Sequence, residues 1–216
     1  PSECAADCYK VCEGLEVALR AQGVRFLLDT EVTGLVADGT RLRAARSDAG
    51  NIEADAFVLA MATGSVPLAR GLGLRLPVYP LKGYSVTVQA AAERTSAPQV
   101  SVTDAARKIV FARLGDRLRI AGMAELVGND ASIKDARIAT LLAAGRDVFP
   151  RASDYIAVDR WAGLRPATPT GLPIVGTLPN APANLLFNTG HGALGFTLAF
   201  GTAQALLAPL RAAARA

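Results

Sequence analysis

The chain has 216 residues, of which 51% are hydrophobic and 19% charged, a balance that excludes intrinsic disorder. Three cysteines are too few to staple a small disulfide scaffold. The 23 basic against 19 acidic side chains leave a mild +4 with no Lys/Arg block, so the charge points to no nucleic-acid partner.

The start, Pro1-Ser2-Glu3-Cys4, carries an acid and no apolar run, so no signal peptide is read there. Cys4, Cys8 and Cys12 recur every four residues, on one face of a helix predicted over 7–22 and stopped by Gly23. Three thiols without a fourth ligand make an incomplete metal site. They are read as small, semi-buried helix residues, and no metal is expected. Val24 to Leu28 reads as a short strand. Glu31 to Ala37 and Leu42 to Ser47 alternate around Asp38-Gly39, a strong hairpin signal. Ile52 to Ala62 reads as one strand, fully buried at Phe57-Val58-Leu59-Ala60, followed by Thr63-Gly64 and a short helix near 65–71.

Tyr84 to Gln89, Val100 to Thr103, Lys108 to Arg113 and Arg117 to Ala121 alternate and predict an antiparallel meander, with a tight turn at Gly115-Asp116. A helix capped by Ser132 or Asp135 is predicted to run to about Phe149, ended by Pro150. Tyr155 to Leu164 and Leu185 to Thr189 read as strands, Gly171 to Gly176 is short and proline-interrupted, and 194–210 reads as a helix. The stretch Asn188 to Leu210 is uncharged apart from neutral His191, but its glycines and Pro209 favour a buried helix entered through a glycine loop over a membrane span. Strands cluster in the middle with helices on the flanks, which predicts an α+β fold.

Three segments carry candidate chemistry. Gly190-His191-Gly192-Ala193-Leu194-Gly195 fits G-x-G-x-x-G after a strand and before a helix. Only 21 residues follow it, and no Asp or Glu occurs after Asp159, so it lacks the rest of a dinucleotide-binding unit. It is either a loop that holds negative charge at a helix N-terminus or a tight turn. Trp161-Ala162-Gly163-Leu164-Arg165-Pro166 places Arg165 among apolar neighbours, where a guanidinium needs either an internal carboxylate or a bound one. Pro80-Leu81-Lys82-Gly83-Tyr84 opens a strand. There a solvated Lys82 and a core-edge Tyr84 are the plain expectation. His191 has no acid partner in sight, and no Ser-His-Asp, zinc or P-loop pattern is present.

The stretches VYPLKGYSVTV (78–88), RIAGMAELVG (119–128), DVFPR (147–151), WAGLRPATPTGLPIVG (161–176) and LLFNTGHGALGFTLAFG (185–201) together resemble the later part of the FAD-dependent D-amino-acid dehydrogenases of the small-subunit type, within the D-amino-acid oxidase/glycine oxidase superfamily. The resemblance implies an antiparallel substrate domain plus the later elements of a FAD-binding α/β domain. It implies partial FAD-domain elements with the hairpin over 1–76, the substrate domain over 77–165, and the flavin loop and helix over 166–216. Members begin with a strand–GxGxxG–helix unit, and the chain is read as starting after it. FAD is the implied cofactor, with weak or no binding expected by this stretch alone.

By the same resemblance the catalytic candidates are Arg165, gripping a substrate carboxylate, with Tyr84 and Lys82 lining the cavity. The cofactor candidates are Val32, Thr63, Gly64, Gly190, His191, Gly192, Ala193, Leu194 and Gly195. At the turn near the cofactor the family favours Ala-Ala-Gly, where this chain has Met61-Ala62-Thr63-Gly64. The implied reaction is oxidation of a D-amino acid to a 2-oxo acid and ammonia by hydride transfer to FAD. Electrons pass to a respiratory quinone or a membrane acceptor, in the cytoplasm or peripherally on the inner membrane, and a homo-oligomer is compatible. The alternatives are a truncated non-catalytic chain and a glycine/sarcosine-type oxidase.

Overall fold

The computed structural model describes residues 6–215 and has the α+β composition that the sequence predicts. Its contacts divide the chain into two units. Unit 1 holds the described residues up to Val24 together with Leu81–Leu164. Unit 2 holds Arg25–Pro80 and Arg165–Ala216. The helix near the chain start therefore groups with the meander rather than with the rest of 1–76.

In unit 1, α1 (Cys8–Ala21) is capped by Asp7, whose Oδ1 accepts from the Tyr9 amide at 3.1 Å, and stops at Gly23 with φ +85°. The main sheet has the order β6-β7-β8-β5-β9, from β5 (Tyr79–Gln89), β6 (Val102–Asp104), β7 (Ile109–Leu114), β8 (Arg117–Glu125) and β9 (Ala157–Ala167). The tight turn pairs Leu114 with Arg117 around Gly115 at φ +67°. Tyr84, Val86, Val88, Ile109, Phe111, Leu118 and Ile120 form the core against α3 (Asp135–Val148), through Ile138, Leu141 and Ala144. Each fully buried side chain of this size contributes about 1.5–3 kcal/mol. Neither Ser132 nor Asp135 caps α3: its N-cap is Lys134, without a side-chain cap bond.

In unit 2, β1 (Val32–Asp38), β2 (Arg41–Ser47) and β3 (Gly50–Glu53) form an antiparallel sheet. The hairpin turn pairs Asp38 with Arg41, so its two loop residues are Gly39, at φ +59°, and Thr40. The predicted strand Ile52–Ala62 is in fact two. β3 pairs with β2, whereas β4 (Phe57–Leu59) leaves that sheet and runs parallel to β11 (Leu185–Thr189), which pairs antiparallel with β10 (Ile174–Gly176) on its other side. Of the predicted buried run Phe57-Val58-Leu59-Ala60 only Leu59 is buried, and Val58, on the opposite face of the strand, is exposed. Buried Asn184 locks the junction. Its Oδ1 accepts from the Leu42 amide at 2.8 Å, and its Nδ2 donates to the Leu42 and Asp55 carbonyls.

Val24 to Leu28 forms no strand: Leu27 and Leu28 are exposed and the run belongs to none of the three sheets. The predicted buried helix is α4 (Gly195–Arg215), but only Leu206 and Ala213 are buried in it. By length and composition alone it is apolar enough to cross a membrane. Cys8 and Cys12 are exposed free thiols rather than semi-buried, because α1 buries no residue. Cys4 lies outside the described residues, among which no group of three potential ligands gathers for a metal.

Candidate functional site

The site in unit 2 is built on one topological fact: β4 and β11 are parallel neighbours, with Leu59 opposite Phe187. Their carboxyl ends therefore emerge side by side, where ligands collect in open α/β sheets. After β4 comes a 3-10 turn at Ala62–Gly64 and then α2 (Ser65–Gly71), while after β11 come Gly190, a 3-10 turn at Gly192–Leu194 and α4. Thr189 Oγ1 donates to the Ala62 carbonyl at 3.0 Å and ties the two ends together. Ser65 Oγ, fully buried, accepts from the Met61 amide at 3.1 Å and fixes the turn that carries Thr63 and Gly64. Val32, at the start of β1, packs on the same core as Leu59 and Phe187.

Gly190 sits at φ +79°, where an added Cβ would stand 2.7 Å from Thr168 Cγ2. Gly192 is also left-handed, at φ +56°. The loop closes over His191 through a Leu194 amide to His191 carbonyl bond and delivers the chain into α4. Free N–H groups of the first turn and the positive end of the helix dipole thus face the loop. His191 Nε2 lies 3.3 Å from Thr202 Oγ1, whose own proton goes to carbonyls of α4. Burial pushes the imidazole below its ordinary pKa, so it is neutral at pH 7. Asn188 Oδ1 is buried with no hydrogen-bond partner, a rare condition that marks a place for an incoming donor.

These features fit one end of a flavin: one buried acceptor without a partner, two left-handed glycines and a helix start suited to negative charge. Gly190, His191, Gly192, Ala193, Leu194 and Gly195 would meet it from β11, and Thr63 and Gly64 from β4. Arg165 on β9 is half-buried, and burial lowers its pKa.

Lys82 and Tyr84 behave differently from the sequence expectation. Lys82 is neither solvated nor available: it is 0% exposed and its Nζ donates to Asp130 Oδ2 at 3.2 Å. Its ammonium lies 5.1 Å from the centroid of the Tyr84 ring. Tyr84 is 1% exposed, and its hydroxyl donates to Glu125 Oε2 at 3.0 Å. Arg137 Nη2 holds the other oxygen of Glu125 at 2.6 Å. Burial works against the Lys82 ammonium, but Tyr84 and Asp130 raise its pKa overall. Ser132 and Lys82 hold the Asp130 carboxyl well below the carboxylate range. The polar ends of Lys82 and Tyr84 are thus bonded to Asp130 and Glu125 inside unit 1. Asp130, Glu125, Arg137, Ser65 and Asn188 escaped the sequence reading. A lysine in a strand start needs an anion once buried, and that requirement was the one available signal for Asp130.

The model of the FAD dependent oxidoreductase family DAO matches residues 1–208. The chain is 43% identical over 206 residues to the D-amino acid dehydrogenase of Vibrio cholerae serotype O1 (strain ATCC 39315 / El Tor Inaba N16961), covering 95% of this chain and 48% of that protein. It is 48% identical over 207 residues to D-amino acid dehydrogenase 2 of Pseudomonas aeruginosa PAO1, covering 95% of the chain and 49% of that relative. Among solved structures it resembles glycine oxidase from Geobacillus kaustophilus, with a TM-score of 0.81 and 26% identity over 92% of this chain and 52% of that one. L-proline dehydrogenase from P. horikoshii shares the fold, with a TM-score of 0.79 at 18% identity, over 90% of this chain and 52% of that one. The chain spans about half the length of the curated relatives it matches.

Proposed function

The chain belongs to the DAO family of FAD dependent oxidoreductases, and on that premise we propose that it forms the substrate-carboxylate and flavin-ring part of an enzyme oxidising D-amino acids to 2-oxo acids and ammonia. The observation that carries the reading is the paired ends of β4 and β11, with Gly190 pressed against Thr168 and α4 starting behind it. The names of the relatives supply the substrate class. FAD, when bound, supplies hydride acceptance, which is chemistry no side chain here provides.

The chain's own residues bind and orient. Arg165 takes the substrate carboxylate in two parallel N–H···O bonds, which fixes the direction of the Cα–H. The amide groups of the Gly190–Gly195 loop other than that of Leu194, with the N-terminus of α4, would stabilise negative charge on a flavin held there. His191, its pKa lowered by burial and its ring bonded to Thr202, leaves the holding of negative charge to the backbone. Electron delivery to a respiratory quinone, and action in the cytoplasm or peripherally at the inner membrane, belong to the same proposal.

Arg165→Ala in the FAD-loaded enzyme containing this chain should raise KM for D-alanine far more than it lowers kcat. The loss corresponds to roughly 2–5 kcal/mol, with partial recovery in Arg165→Lys. Unchanged kinetics would remove Arg165 from the site. The likeness to a glycine oxidase supports a second reading, an oxidase acting on glycine or sarcosine. Hydrogen peroxide released with glycine or sarcosine, and none with D-alanine, would favour it.

A further inference from the structure

Unit 1 contains a cavity of about 720 Å³ that the reading above does not use. It lies between the start of β7, the end of β8 and one face of α3. Its lining from α3 is Arg137, Thr140, Ala144 and Asp147, spaced as one side of a helix, with Ala143 beside them. Ile109 and Met123 supply apolar floor from the sheet, and Glu125 stands next to Arg137. The volume is that of a small-molecule site.

The chemistry at one end is specific. Glu125 and Arg137 put a carboxylate and a guanidinium side by side, 2.6 Å apart. Glu125 accepts one bond from Tyr84 and one from Arg137, while a carboxylate has about four acceptor positions. Arg137 spends Nη2 on Glu125, while a guanidinium has five donors and this one is 49% exposed. A ligand with both an ammonium and a carboxylate on one carbon can bind antiparallel to this pair. Its ammonium then meets Glu125, its carboxylate meets Arg137, and the local charge stays balanced. A side chain on the same carbon would run over Met123, Ala143 and Ala144. At the far end Arg107 is shared between two carboxylates, Asp104 and Asp147.

We propose that this cavity binds a free α-amino acid with an apolar side chain, held as a zwitterion on the Glu125–Arg137 pair.

The proposal stands independently of Arg165 and of flavin. The chain contains two methionines, Met61 and Met123, one in each unit. Methyl-¹³C-methionine labelling therefore gives one signal at the cavity and one internal control. Titration with D- or L-leucine should shift the Met123 methyl saturably, with half-saturation on the order of millimolar, while Met61 stays still. Isocaproate, which lacks the ammonium, and isoamylamine, which lacks the carboxylate, should each fail to saturate. Arg137→Gln should weaken leucine binding at least about tenfold, with Arg137→Lys between the two. No saturable Met123 shift up to about 50 mM leucine, equal shifts with the two half-ligands, or an unaffected Arg137→Gln protein would each overturn the proposal. If Arg137→Gln loses both native methyl signals, the half-ligand comparison on the unaltered chain decides alone.

Discussion

Gly190 is held by two constraints at once, backbone conformation and space. Its φ of +79° disfavours any L side chain, and a Cβ would press within 2.7 Å of Thr168 Cγ2. Gly190→Ala should cost about 1–3 kcal/mol from backbone strain, with the clash added to it. Thr168→Ser in the same background removes the offending methyl and should recover only the clash. Urea denaturation of the two single variants and the double variant separates these contributions. Equal stability of Gly190→Ala and the parent would mean the loop is not held as described. A similar economy applies at Gly163, where a Cβ would fall 1.9 Å from the ring of Trp161, folded over its own strand. The G-x-G-x-x-G pattern drew attention to this loop for an incomplete reason. Gly190 and Gly192 are needed for backbone geometry whether or not a phosphate lies near.

At the scale of elements, α3 meets the main sheet at a place only glycine allows. A Cβ on Gly145 would lie 2.4 Å from Tyr155 Cε1 and 2.7 Å from Ile120 Cδ1. Tyr155, itself at φ +61°, returns its hydroxyl to the Gly145 carbonyl at 2.7 Å and the Phe149 carbonyl at 2.6 Å. Gly145→Ala must lift the helix and should destabilise unit 1 by about 1–3 kcal/mol, with partial relief from Ile120→Val. Thermal unfolding followed by circular dichroism would measure it, and an unshifted midpoint would contradict this packing.

Elements whose cause is local were legible in the sequence. The hairpin around Gly39, the turn at Gly115, α2 and β11 follow from turn chemistry and short-range alternation. The split of β3 from β4 was not legible, because it depends on β11, more than a hundred residues away. Val24–Leu28 has the composition of a strand but no partner edge. Of the candidate site, the glycine loop and the half-burial of Arg165 were readable from motif and flanks. The burial of Lys82 was hidden, because Asp130 lies 48 residues further along and nothing near Lys82 announces it.

Over the whole molecule, each unit has its own apolar core, and four carboxylates of unit 1, Glu93, Asp104, Glu125 and Asp130, are held below their ordinary pKa and give it acid sensitivity. Burial opposes ionisation of Glu125, yet Tyr84 and Arg137 hold its pKa below the ordinary value. Ser132 and Lys82 do the same for Asp130. Folded pKa values below the unfolded ones mean stabilisation that is present above about pH 4–5 and is lost as pH falls through the folded values. Trp161 is the single tryptophan and lies in unit 1, with Arg119 5.7 Å from its ring. Its fluorescence should therefore report a urea midpoint that falls between pH 5 and 3. In Glu125→Gln that dependence should flatten, together with a loss of stability at pH 7. A pH slope identical to the parent would show that Glu125 is not held as a carboxylate by its neighbours.

The pairing of β4 with β11 also bears on how the chain is made. Leu42 waits for Asn184 across 142 residues, and Asp55 waits for it across 129. At ribosomal speeds that interval is on the order of ten seconds. During it the β1–β2 hairpin and β4 have left the exit tunnel with Leu42 and Leu59 uncovered, while the meander between them closes on short-range contacts. Through that interval β1, β2 and β4 are open to chaperones and to aggregation, and release from that state awaits the synthesis of Leu185–Thr189.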